Sequence, residues 1–200
     1  TYLNQKKYSA LQYNAPGTDL RVGLPSGHIW EGGSISNQAG IAFVPNMPTE
    51  EVFTIPHRDQ IDGVVKSTKP LNIGGMMIDD FSMRFESALK KLMNTDEGAS
   101  SLGEVALVPH SSPISQSGMV FYNILYDENA SCHLALGNAY KFTVEGGHNL
   151  SDEEFAALVG NQSLIHVDFI IGSGEMDIDG ITDTGDAEPI MRTGEWTFDV

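Results

Sequence analysis

In the segment SLIHVDFIIGS, His166 and Asp168 set an imidazole and a carboxylate two positions apart within an apolar, β-branched run. A strand turns alternate side chains to one face, so these two groups would project together while Val167 packs on the other. Polar groups in such a run are costly to bury alone. They need a metal ion, each other as a hydrogen-bonded core pair, or a place at a strand end. In DENASCHLALGNAY, Tyr140 follows His133 by seven residues, close to two helical turns, so one helix face would carry both only if the helix ran on through Gly137. A lone histidine on an apolar helix is equally an ordinary core residue. Glu104 opens the apolar run of LGEVALVP, where a carboxylate needs a partner or the end of a sheet. Glu50 and Glu51 in NMPTEEVFT take opposite faces of an extended segment, so only one of them enters any given site.

Two glutamates, two histidines and an aspartate form an oxygen–nitrogen ligand set that suits zinc, cobalt or manganese. With this many carboxylates the set can hold two cations, bridged by a carboxylate and a water. No thiolate set accompanies them, which argues against a finger-type structural zinc. Cys132 is the single cysteine, assigned to packing, and it excludes an internal disulfide framework.

Other motifs carry less. Gly32-Gly33 and Gly74-Gly75 lack the strand–turn–helix context and lysine of a phosphate loop. Asp177, Asp179, Asp183 and Asp186 have calcium-loop-like spacing without the flanking helices or closing glutamate, and read as a hairpin with solvated acids. Ser111, Ser112 and Ser115 lack a nucleophile-elbow context. His28, His110 and His148 stand beside turn residues and are expected at the surface. Arg58 is a candidate for contacting substrate or another domain, with an ion pair to Asp59 as the plainer reading.

The elements that must position these groups are mostly short strands separated by Gly, Pro and Asn turns. Residues 18–24 (TDLRVGL) alternate as a strand, and 41–44, 63–67, 76–85, 104–108 and 164–171 are further strand candidates. Helices are expected at 87–93, at 128–136 after an Asp127 cap, and after Ser151. There Glu154 completes a capping box, Leu150 and Phe155 form a staple, and Gly160 ends the helix. Strands outnumber helices without regular alternation, giving an α+β class with a strand-rich mixed sheet and the site at strand and helix ends.

Composition sets outer limits. The 200 residues are enough for one domain, and 40% are hydrophobic, so a core can form. The formal charge of −16 argues against nucleic acid. No apolar run approaches the roughly 18 residues of a membrane span. Bound divalent cations or cationic substrates would offset part of the charge, and plain solubility is its simpler use. The lone cysteine fits a reducing cytoplasm.

Four long segments resemble one family. NMPTEEVFTIPHRDQIDGVV, TDEGASSLGEVALVP, SSPISQSGMVFYNILYDENASCHLALGNAY and HVDFIIGS are similar to the thermophilic metalloaminopeptidases, a family that includes aminopeptidase T, AmpS and PepS. The similarity runs from PGTDLRVGLP to GEWTF. It implies a cytoplasmic, dimeric exopeptidase that removes N-terminal amino acids with two divalent ions (zinc, cobalt, manganese or magnesium). Matched by position, Glu50, Glu104, His133, Tyr140, His166 and Asp168 fall at the metal site, with Tyr140 as ligand or catalytic hydroxyl and Glu104 as base or bridging ligand. Family members are longer, with a separate N-terminal domain. The resemblance therefore implies that residues 1–200 are the catalytic domain, and a metal-binding or dimerisation piece inactive by itself is the alternative. The chain is also shorter than its relatives between Phe85 and Lys90.

Overall fold

A computed structural model describes residues 2–44, 49–73, 75–85 and 96–199. The alternation seen in TDLRVG becomes the Thr18–Gly23 strand, with Leu20 and Val22 buried and Asp19 and Arg21 exposed. It lies inside a seven-stranded sheet ordered Ser82–Phe85, Ile61–Lys66, Thr18–Gly23, Ala10–Ala15, Asp177–Ile181, Ala187–Arg192 and Glu195–Trp196. A five-stranded sheet is ordered His166–Ile170, His133–Gly137, Leu102–Leu107, Val52–Thr54 and Glu31–Gly32. Each described pairing in these sheets is antiparallel. Few helices accompany them, so the class is the expected strand-rich α+β, but among the described residues the sheets are antiparallel and not mixed.

One core joins the sheets. Leu11, Tyr13, Leu20 and Val22 from the larger sheet share a buried cluster with Val105, Leu107, Leu134 and Phe169 from the smaller. Each such side chain contributes about 1.5–3 kcal/mol by leaving water. In the Leu102–Leu107 strand every residue is buried, because its second face is covered too. That second face carries the candidate site.

Several elements differ from the sequence reading. Residues 128–136 are not one helix: a short helix at Ile124–Asp127 gives way to a 3-10 turn at Glu128–Ala130 and then to the His133–Gly137 strand. Asp127 does not cap forward. Its carboxylate accepts from the backbone N–H groups of Phe121 and Asn123, closing the preceding loop. Ser131 is fully extended at φ −171°, and HLALG then pairs on both sides, with the 102–107 and 166–170 strands. A five-residue apolar run carries both periods, and the pairing decides between them. Residues 76–85 form two strands, Met76–Ile78 and Ser82–Phe85, in different sheets. Between them Asp80 takes a left-handed φ of 48°, turning the chain.

The capping box at Ser151 is complete in both directions, and the helix runs Asp152–Ala157. Its left-handed exit residue is Val159 at φ 63°, not Gly160. Gly160 is needed for another reason, since a Cβ there would stand 2.5 Å from the Phe155 ring. His28, expected at the surface, is buried: its Nδ1 lies 3.0 Å from the Pro25 carbonyl and its backbone bridges to Val144. His148 is exposed as expected. The helix expected at 87–93 and Gly74 lie outside the described residues.

Candidate metal centre

Register explains which side chains meet. Across the smaller sheet Phe53 pairs with Ala106, Ala106 with His133, Ala135 with Glu104 and with Asp168, and Gly137 with His166. Paired residues share a face, so Glu104, His133, His166 and Asp168 all project from the face opposite the core. Phe53 belongs to that face as well, and two residues back along the extended segment so does Glu51. Glu50 points the other way and is exposed. The structure therefore brings Glu51 into the cluster in place of the Glu50 expected from sequence.

A β-bulge supports this arrangement. Leu102 pairs with Leu136 and Glu104 with Ala135, so Gly103 is an extra residue between them. The bulge lets Leu102 enter the core while Glu104, two residues on, faces the site. Without it, both even-numbered side chains would share one face.

Five ligand-bearing residues converge. Ligand atoms of Glu51, Glu104 and His133 lie within 4.8 Å of one another, as do those of Glu104, His166 and Asp168. Glu104 belongs to both groups. His133 Nε2 stands 3.4 Å from Glu51 Oε1 and 3.5 Å from Glu104 Oε1, and His166 Nε2 stands 3.4 Å from Asp168 Oδ1. Despite that proximity, His133 Nε2 and Asp168 Oδ1 are buried with no hydrogen bond. The far nitrogens are tied down: His133 Nδ1 contacts the Ser131 carbonyl at 3.1 Å, and His166 Nδ1 contacts the Asn138 carbonyl at 2.7 Å. An Nδ1–H donated to a carbonyl fixes the tautomer that offers Nε2 to a metal.

Burial pushes the Glu104 carboxyl up, with Asp168 adding to the effect and His133 opposing it. Burial by itself would lower the His133 imidazole, but Glu104 and Glu51 outweigh burial and hold it well above its ordinary value. His166 is treated alike: burial opposes, yet Asp168 and Glu104 bring it to about 9. The buried Nε2 and Oδ1 without a hydrogen bond, the fixed tautomers and the oxygen-and-nitrogen donor set fit divalent metal ions.

A cleft of about 730 Å³ opens over these groups. Tyr140 lines it, although no helix runs from His133 to this residue. The chain after Gly137 instead brings the Tyr140 ring to 4.9 Å from that of His166 and stacks it on Phe142 at 5.3 Å. Burial first, then Glu104 and Asp168, push its hydroxyl up to about 12, so it holds its proton. Glu128 also lines the cleft and was missed in the sequence. Burial and then Asp168 raise its carboxyl to about 9. On a helix, five residues would set Glu128 and His133 on nearly opposite faces; the 3-10 turn followed by a strand brings them to one site. Cys132 stays apart, buried against Val108 and Met191. Arg58 pairs with Asp59 at 3.4 Å.

Known proteins resemble this chain in sequence, and one solved structure resembles it in fold. Aminopeptidase 2 of Geobacillus stearothermophilus is 51% identical over the whole of this chain, and AmpS of Bacillus subtilis 53% identical over 98% of it. The structure of wild-type AmpT from Thermus thermophilus superposes with a TM-score of 0.90 at 46% identity, covering 98% of this chain and 52% of that one. The chain spans about half the length of the curated relatives it matches. The family model described as thermophilic metalloprotease (M29) matches residues 1–196, and the chain belongs to that family.

Proposed function

We propose that this chain carries the two-metal centre of an aminopeptidase acting on peptides with a free N-terminus. The observation that carries the reading is Glu104, whose buried carboxylate is common to two ligand groups. Glu51 and His133 would hold one ion with Glu104, and His166 and Asp168 the other, with Glu128 beside Asp168 as a further carboxylate. The chemistry such ions supply is Lewis acidity, which lowers the pKa of a water and polarises a scissile carbonyl.

The protein's own groups do the rest. Glu104 holds its place between the two ligand groups and suits a bridging role. Ser131 and Asn138 carbonyls keep the two imidazoles oriented. Tyr140, protonated and at the cleft wall, donates a hydrogen bond to oxygen as negative charge develops there. Ile35, Phe53 and Phe142 give the cleft apolar walls that exclude water from around the reacting bond. Names of relatives as aminopeptidases support the reaction class. No helix among the described residues is long and apolar enough to cross a membrane. Cytoplasmic placement and a homodimer belong to the same reading.

The test uses the protein at its natural length. Equilibrium dialysis against zinc, cobalt or manganese should give two bound ions per chain. Hydrolysis of an aminoacyl reporter should require them and should vanish when the reporter's amino group is acetylated. One ion per chain, or equal turnover of the acetylated reporter, would sink the reading. Two ions without any turnover would favour the metal-binding alternative.

A further inference from the structure

We infer that Gly103 is a positioning residue of the metal centre, holding His166 through the Asn138 carbonyl while its bulge aims Glu104. The inference rests on the metal reading above. Gly103 is buried, and a Cβ built on it would stand 2.3 Å from the Asn138 carbonyl oxygen and 2.4 Å from that of Gly137. Both are backbone atoms and cannot rotate aside. The Asn138 oxygen is the acceptor that His166 Nδ1 meets at 2.7 Å. Any side chain at position 103 must therefore displace the atom that orients a ligand imidazole.

The surroundings leave that carbonyl little room. The Gly137 N–H donates to the Ser101 carbonyl at 2.8 Å, and the Asn138 N–H to the Ile165 carbonyl at 2.7 Å. Asn161, itself buried, donates to the carbonyls of Gly98 and Gly137. Gly137 has φ 106° and would meet the Ile165 oxygen at 2.1 Å if it bore a Cβ. The strand end is clamped from both sides, so strain introduced at 103 passes to the contact with His166. Gly103 itself does not have a left-handed φ. Close approach, not backbone conformation, is what requires glycine here.

The test measures zinc binding by competition with a chromophoric chelator, in wild type, Gly103→Ala and Gly180→Ala. Gly180 also lacks room for a Cβ, at 2.5 Å from the Tyr8 ring, but lies in the larger sheet. Gly103→Ala should weaken zinc binding by about 10–100-fold, the cost of disturbing outer-shell partners. Gly180→Ala should lower stability and leave zinc affinity within about twofold. Unchanged affinity in folded Gly103→Ala, or an equal loss in both variants, overturns the inference. Should Gly103→Ala not fold, nitrogen NMR of the zinc-loaded wild type decides. His166 should carry its proton on Nδ1, and a proton on Nε2 overturns the role of Asn138. Failure of wild type to bind zinc overturns the metal reading itself, a result distinct from the others.

Discussion

The molecule holds two acidic clusters that look alike in sequence and differ in structure. Asp177, Asp179, Asp183 and Asp186 sit on and around the hairpin joining the Asp177–Ile181 and Ala187–Arg192 strands. Each described carboxylate interaction there is local. Asp179 pairs with Arg192, Asp177 accepts from the Thr193 N–H at 2.8 Å, and Asp186 accepts from Thr184 Oγ1 at 2.6 Å. Asp183 and Asp186 are exposed to water. The site cluster has as many acids, Glu51, Glu104, Glu128 and Asp168, but it is largely buried, and two of its ligand atoms have no hydrogen bond. Counting carboxylates does not find a cation site; burial with unspent lone pairs does, because water already satisfies the exposed acids.

The largest effect that sharpens this contrast comes from Glu104→Gln. Removing the shared carboxylate should abolish binding of both ions and reporter hydrolysis together, measured by metal analysis and turnover on the same sample. Loss of only one ion would show that Glu104 does not bridge.

A reversal with pH comes next. In metal-free protein the raised values of His166, about 9, and of His133 mean that the folded state binds more protons than the unfolded chain. Their stabilisation is present below the unfolded value of about 6.5 and lost as pH rises through the folded values. The raised carboxyls of Glu128 and Glu104 act in the same direction. Metal-free protein should thus lose stability as pH rises from about 4.5, through the carboxyls first and the imidazoles above about 6.5, up to about 9. Zinc-loaded protein should gain stability at first, because ligands must shed protons to bind. Urea unfolding at several pH values, with and without zinc, checks the opposite slopes; parallel slopes would break the comparison.

A smaller effect separates neighbours. Glu51→Gln should weaken metal binding by at least about tenfold, while exposed Glu50→Gln leaves it unchanged. The reverse order, read by the same chelator competition, would restore the assignment made from sequence. The smallest effects belong to the hairpin. Asp179→Asn should cost at most about 1 kcal/mol by thermal or urea unfolding, as for a partly exposed ion pair, and Asp183→Asn essentially nothing. Neither should alter metal content.

How far the sequence reached depends on whether an argument was local. The His166/Asp168 spacing, the Thr18–Gly23 alternation and the Ser151–Glu154 capping box need only a few neighbouring residues, and the structure has all three. His133 was read on a helix because HLALG is too short to separate the two periods. Glu128 was missed for the same reason. His28 was read as exposed from its turn, yet the packing of Trp30 and Val144 buries it. Glu50 and Glu51 differ only in which face they take, and it is Glu51 that the structure turns toward the cluster.

The sequence by itself determined the donor types, the absence of a thiolate set and the strand-rich class, since these follow from composition and short-range periodicity. Only the tertiary structure decided that Glu51 faces the site, that Glu128 reaches it, and that a bulge at Gly103 turns Glu104 inward. Those outcomes depend on strand register between segments tens of residues apart. A shift of one position there exchanges the faces of every side chain.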